Sequence, residues 1–351
     1  MSRPNLALVA TALIAVISMA ACQQSPGGKR GEERTPSGLP PSSTTSPASS
    51  ASQAPTRIPA NISHGEAPVG TAADSAPVDP VVPPRSTDRL HRVRFEIVDT
   101  IIAVAPSVQY RAWTFQSRVP GPVVRVTQGD EIEFTLVNRG SIAHSMDFHA
   151  AQIAPSKYYV NILPGDSIHY RFTAEVAGAF MYHCGTAPVA AHIANGMYGA
   201  LIVDPPGLRR AAKELVFVQS EFYMTANPTG PRSLAWDRLL GLAPDYVTFN
   251  GRAAQYATHP IRVKVNDLVR IYLVNAGPNR FSSFHVVGGI FERVFVDGSQ
   301  RSPLEGVQTV AVPVGGGSIF EIRLKQPGEY PFVTHAFADA TKGAVGVLLA
   351  E

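Results

Sequence analysis

The eight residues Glu131-Ile132-Glu133-Phe134-Thr135-Leu136-Val137-Asn138 return later in the chain as Leu268-Val269-Arg270-Ile271-Tyr272-Leu273-Val274-Asn275. Each block is followed two residues on by a glycine, Gly140 and Gly277, and then by a Phe-His pair, Phe148-His149 and Phe284-His285, with one residue of offset. Further along, Gly196-Met197-Tyr198-Gly199-Ala200 is matched by Gly343-Ala344-Val345-Gly346-Val347. Matching blocks in the same order mark an internal duplication. The duplicated unit is β. Short apolar runs such as Arg94–Val98, Glu131–Val137, Ser167–Thr173 and Phe180–His183 alternate with turns such as Val119-Pro120-Gly121-Pro122, and only Ser233–Leu242 has a helical period. The 351 residues, with 30 Pro, 29 Gly and 16 % charged residues, suit many short strands. The expected fold is all-β: two tandem β-sandwiches, residues 89–207 and 208–351, with the boundary near Pro205–Arg210.

The N-terminus reads differently. Arg3, an apolar run Leu6–Ala21 and small residues before Cys22 form a lipoprotein-type signal, residues 1–21, with Cys22 as the lipidation site. Residues 22–88 are rich in Pro, Ser, Thr and Ala and hold no Phe, Trp or Tyr, so they read as a disordered tether. The folded part is thus expected outside the cytoplasm, lipid-anchored to the cell envelope on its periplasmic or extracellular face. The formal charge is only +3 and no Lys/Arg run occurs, which gives no reason to expect nucleic acid as a partner. The two cysteines are Cys22 and Cys184. In an exported chain a lone Cys184 thiol is an oxidation hazard unless something occupies it.

What occupies it can be read from spacing. On a strand, neighbours point to opposite faces. His144 and His149 therefore face apart, and so do His183 and Cys184. One face collects His144 and Cys184; the other collects His149 and His183, with Asp147 beside His149. His192 and Met197 follow Cys184 closely. One thiolate, two imidazoles and a thioether suit a copper that transfers electrons, since they serve both oxidation states; zinc does not usually take Met. The second site, purely imidazole, is incomplete with two histidines. The second half offers His285 and His335 on separate strands, and three imidazoles with an open position make a catalytic metal design. Met146 and Met181 are assigned to packing, and His64, His91, His169 and His259 have no such company. The second half has no cysteine, and Ala344 stands where the repeat places Met197. One electron-transfer copper and one catalytic copper per chain are expected.

From about Arg92 to Glu351 the sequence resembles the copper-containing, NO-forming nitrite reductases, which are two-domain Greek-key cupredoxins. The resemblance is carried by His144–His149, by His183-Cys184-Gly185-Thr186-Ala187-Pro188-Val189-Ala190-Ala191-His192 continuing to Gly199, by Ser282–Gly288, and by Thr334-His335 with Lys342-Gly343-Ala344. The short Cys-to-His loop is similar to that of the lipoprotein branch. The resemblance implies that His144, Cys184, His192 and Met197 hold type 1 copper, and that His149, His183 and His335 hold type 2 copper. It places the type 2 site between subunits of a homotrimer, with His335 coming from a neighbour. Asp147 and His285 match the acid and base that hold and protonate substrate, and Gln308-Thr309 fall where they support the second-half histidine. Val287 departs from a bulkier Ile, and Ala336–Thr341 from the usual segment.

The implied reaction joins nitrite, one electron and two protons to give nitric oxide and water. A donor such as a c-type cytochrome or a small cupredoxin supplies the electron, which crosses the Cys184–His183 peptide link. A two-domain multicopper oxidase would need paired His-x-His motifs, and none occurs. A non-enzymatic electron-transfer copper protein is the other alternative.

Overall fold

The computed structural model describes residues 56–58, 76–227 and 229–351. The expected signal, Cys22 and most of the tether lie outside the described residues. Among those described, no helix is long and apolar enough to cross a membrane.

The chain folds as β-sheets with a few short helices, in two sandwiches. In the first, a five-stranded sheet runs in the order Thr56–Ile58, Ser167–Thr173, Glu131–Asn138, Leu90–Ala105, Val108–Phe115. It faces a four-stranded sheet of Val124–Thr127, Tyr198–Asp204, Gly178–His183 and Asp147–Phe148. The second sandwich has a six-stranded sheet containing Lys213–Phe222, Val269–Gly277 and Gly317–Ile322, and a five-stranded sheet containing Val345–Ala350, Gly328–Thr334 and Ser282–Val286. Along Glu131–Asn138, Ile132, Phe134 and Leu136 turn inward while the residues between them are half-buried, which is the alternation of a sheet with one wet face. Tyr198–Asp204 and Val269–Gly277 are buried throughout. These strands bear on a third core shared by the two sandwiches, where Tyr198, Ala200 and Ile202 cluster with Val216, Val218, Tyr272 and Val274. Met181 packs there and Met146 in the core of the first sandwich. The segment Ser233–Leu242 contains the helix Trp236–Leu240.

The tether is shorter than expected. Residues 76–88 lie along the folded body: Pro80 O accepts the Val216 N–H at 2.7 Å, Val82 N donates to Glu214 O at 3.1 Å, and Arg85 pairs with Asp204 at 2.8 Å. Val82 is buried in the shared core, while Val81 is half exposed. Arg85 joins a buried charge network in which Arg270 bridges Glu214 at 2.7 Å and Glu321 at 2.6 Å.

The repeats superpose by register. Asn138 donates to Ile142 O and Ile162 O and accepts from Gly140 N; Asn275 donates to Arg280 O and Val312 O and accepts from Gly277 N. Tyr182 pairs with Gly199, and Phe332 with Gly346. At each of these glycines a Cβ would lie within 2.2 Å of the facing ring, so only glycine admits the aromatic. Asp147 pairs with His183, while His285 pairs with Val333. The structural counterpart of His285 is therefore Asp147, not His149. The Phe-His match in the sequence is a coincidence of composition two residues out of register.

Candidate metal centres

Three elements bring the sulfur-containing group together. His144 is held by a two-way backbone bridge to Ile162, at 3.1 and 2.8 Å, itself fixed by the Asn138 clasp. Cys184 immediately follows the strand Gly178–His183, and His192 lies on the helix Val189–Ala194. His144 Nδ1 and His192 Nδ1 are 3.1 Å apart, and Cys184 Sγ lies 3.8 Å and 3.3 Å from them. All three residues are buried. Met197 is buried too; its carbonyl accepts the Cys184 N–H and its N–H donates to His192 O, both at 3.1 Å. The Ser145 N–H donates to Cys184 Sγ at 3.3 Å.

Trp113 covers this group, its ring 4.9 Å from that of His192 and 5.7 Å from that of His144. Burial, with the neighbouring His192 second, lowers the pKa of His144 to about 3, and burial lowers that of His192 to about 4. Both rings are thus neutral, as ligands must be. Two neutral imidazole nitrogens and a sulfur facing one another in an apolar enclosure fit copper.

The second group is purely nitrogen and carboxylate. His183 Nε2 and His149 Nε2 face each other at 3.1 Å, and Asp147 Oδ2 is 3.7 Å from His183 Nε2. The opposite nitrogen of each ring meets a carbonyl, which can only accept. His183 Nδ1–H donates to Cys184 O at 2.9 Å and His149 Nδ1–H to Gly315 O at 3.0 Å. The carbonyls select the Nδ1–H tautomer of each ring, whose Nε2 faces its neighbour with a free lone pair, the arrangement a metal ligand requires. Burial, the largest influence on His183, lowers its pKa.

Three participants have no signal in the sequence. Gly315 reaches His149 from the second sandwich. Tyr159 donates to Phe148 O at 3.2 Å, and burial, then the adjacent Asp147 carboxylate, raises its pKa. Trp113 comes from a strand not anticipated.

The opposition of His183 and Cys184 holds, and one peptide separates the two groups. His285 and His335 do not join Asp147, His149 and His183 within one chain. They form their own pair, ring centroids 5.4 Å apart. His285 Nδ1 donates to Gln308 O at 2.8 Å, with Thr309 Oγ1 at 3.3 Å, and the His335 ring lies 4.7 Å from that of Phe337. Within one chain the four histidines stand as two pairs, His149 with His183 and His285 with His335. His91 pairs with Asp130 at 2.9 Å, His169 with Thr135 at 3.2 Å, and His259 with Gln255 O at 3.3 Å, as structural residues do.

Tandem β-sandwiches carrying a thiolate–imidazole centre and an imidazole centre, one peptide apart, define a two-site copper protein. A family model described as multicopper oxidase matches residues 97–207. A copper-containing nitrite reductase of Neisseria meningitidis is 39 % identical over 297 residues, covering 82 % of this chain and 76 % of its own. That of Neisseria gonorrhoeae is also 39 % identical over 297 residues, covering 82 % of this chain and 75 % of its own. Among solved structures, a copper nitrite reductase from Nitrosomonas europaea is 37 % identical with a TM-score of 0.70, covering 75 % of this chain and 94 % of its own. A multicopper oxidase is 28 % identical with a TM-score of 0.67, covering 75 % of this chain and 89 % of its own. The chain belongs to the family of copper-containing nitrite reductases.

Proposed function

We propose that the protein reduces nitrite to nitric oxide and water, taking up one electron and two protons. The observation that carries this reading is the His183–Cys184 junction, from which adjacent side chains enter two different centres. The covalent path for the electron is this peptide link, from the Cys184 side to the His183 side. Copper, when bound, supplies an electron-storing centre at His144, Cys184, His192 and Met197, and an open Lewis-acid position at the imidazole site. Asp147, beside His183, takes up a proton from solvent, donates it as a hydrogen bond to an oxygen of the bound anion and delivers it there as the first of the two. His285 supplies the second proton, its ring oriented by the Gln308 carbonyl. Proton delivery of this kind contributes roughly 10²–10⁴-fold to a rate.

The imidazole site has two histidines in one chain, and His335 of a neighbouring copy completes it. Phe337, against the His335 ring, and Val287, two residues after His285, are both exposed, apolar side chains suited to burial against another subunit. A head-to-tail contact of this kind closes into a ring, here a homotrimer. The first sandwich spans residues 89–207 and the second 208–351. Export through the signal of residues 1–21 and lipidation at Cys22 place the enzyme on the outer side of a membrane, where a c-type cytochrome or a small cupredoxin donates the electron.

The test is anaerobic. Copper-loaded protein, an artificial reductant and nitrite are combined over an NO electrode. Nitric oxide should appear in step with nitrite loss; protein with two coppers per chain that yields none overturns the reading.

A further inference from the structure

The outward nitrogen of His144 is unusual. Its Nδ1 faces Cys184 and His192, so in the neutral ligand its Nε2 carries the proton. That Nε2 is buried and has no hydrogen-bond partner. A buried donor without an acceptor is unfavourable, and metal-bound histidines almost always donate this proton to an oxygen. One further buried polar atom nearby is also without a partner: Asp99 Oδ1.

Two independent observations put these atoms together. First, both border the space left open by Gly140. A Cβ on that glycine would lie 3.0 Å from Asp99 Oδ1 and 3.4 Å from His144 Nε2. Second, Asp99 is the direct antiparallel partner of Trp113, and paired residues share a face of the sheet. Trp113 on that face lies against the rings of His144 and His192. The Asp99 carboxylate therefore stands beside the tryptophan lid, across a glycine gap from the unsatisfied ring nitrogen.

We propose that Asp99 is a positioning residue for the sulfur-containing centre: its carboxylate accepts the His144 Nε2 proton across the space that Gly140 keeps free. A carboxylate on the far side of a ligand imidazole fixes the ring and makes it a stronger donor. A stronger nitrogen donor favours the more highly charged, oxidised copper over the reduced one. Asp99 thus lowers the reduction potential of this centre and tightens its hold on Cu(II). The inference rests on copper at the His144–Cys184–His192 group and not on nitrite as substrate, so its failure and that of the proposed activity are separable.

The test is spectroelectrochemical titration of the full copper-loaded chain, compared with Asp99→Asn, Asp99→Leu and Gly140→Ala. Asp99→Asn keeps shape and an acceptor but removes the charge. Asp99→Leu removes both, and Gly140→Ala fills the gap while leaving Asp99 in place. The reduced-to-oxidised ratio at a fixed applied potential should rise in Asp99→Leu by about tenfold, equivalent to 59 mV for one electron, and by less in Asp99→Asn. Gly140→Ala should shift it in the same direction. Competition with a Cu(II) chelator should show a 10–100-fold weaker affinity in Asp99→Leu. If the ratio and the affinity stay unchanged in both Asp99 variants, even with a lowered melting temperature, Asp99 is merely structural and the proposal fails.

Discussion

The first sandwich ties its loops together around the Cys184 group; the second closes the equivalent place with a salt bridge. The shared asparagine clasp and strand register fix the correspondence. His144 and Ser282 each sit opposite the segment gripped by that clasp, through Ile162 and Val312. By the same register Cys184 corresponds to Thr334. His192 corresponds to Asp339, because Met197 N donates to His192 O just as Ala344 N donates to Asp339 O. Where the first half has His, Cys, His and Met, the second has Ser282, Thr334, Asp339 and Ala344. There Arg280 reaches Asp339 at 3.0 Å, with the Asp339 side chain only 2 % exposed. A cationic side chain has taken the role that a metal has in the other repeat. The same fold can thus spend this corner on redox chemistry or on stability, and the choice rests on four side chains.

The sharpest way to break this comparison is to change Cys184 and Thr334 in turn. Cys184→Ala should lower copper from two per chain to one and reduce nitrite turnover more than about 100-fold, since the electron loses its entry while the His149–His183 pair is untouched. Thr334→Val removes the acceptor for the Ser283 N–H and should cost about 1 kcal/mol of stability with copper still at two per chain. Metal analysis and thermal melts read both; copper lost equally in the two variants would dissolve the distinction.

At the pair the register makes equivalent, Asp147 and His285, turnover alone should fall and no copper should be lost. Each stands at the same place of its repeat, beside His183 and Val333, and each is assigned one of the two protons. Asp147→Asn and His285→Gln should both retain two coppers per chain and lose about 10²–10⁴-fold in kcat. The reduction potential of the Cys184 centre should not move, because neither side chain touches it. Unchanged turnover in either variant would remove that residue from proton delivery.

The two copper sites were legible because strand alternation is a local rule. Knowing that His183 and Cys184 are neighbours is enough to separate their destinations, and His144 and His149 follow by parity. The equivalence of Asp147 and His285 was not legible, since a repeated Phe-His dipeptide is a stronger pattern in sequence than a hydrogen-bond register, and it points two residues astray. Trp113, Tyr159, Asp99 and Gly315 were silent for another reason. They act through tertiary proximity, and a tryptophan or glycine in a β protein has many commoner uses. The strands Tyr198–Asp204 and Val345–Ala350 escaped notice as well: the former is buried on both faces and so shows no alternation. The docked segment 76–88 is too poor in large apolar residues to announce itself; it is held chiefly by backbone bonds and Arg85.

If the metal and the salt bridge are alternative ties, each should protect its own half alone. Removing copper with a chelator takes away a ligand bound only by the folded state, and the stability it contributed goes with it. The loss should fall on the amides of Val189–Ala194 and of the loop before His144, whose exchange should quicken by about tenfold or more, since local opening no longer has to release a ligand. The amides of Phe337–Ala340 should be unaffected. Arg280→Met should do the reverse. It leaves the buried Asp339 carboxylate without its cation, a loss of about 3 kcal/mol for a buried pair, reduced here because the Arg280 side chain is 35 % exposed. Its faster exchange should be confined to Phe337–Ala340 and the turn before Ser282, with copper content unchanged. Hydrogen exchange read by mass spectrometry on the two peptides decides the matter. Protection lost in both halves after either change would mean that the shared core of Tyr198, Ile202, Val218 and Tyr272 makes the sandwiches one cooperative unit, and that neither tie acts locally.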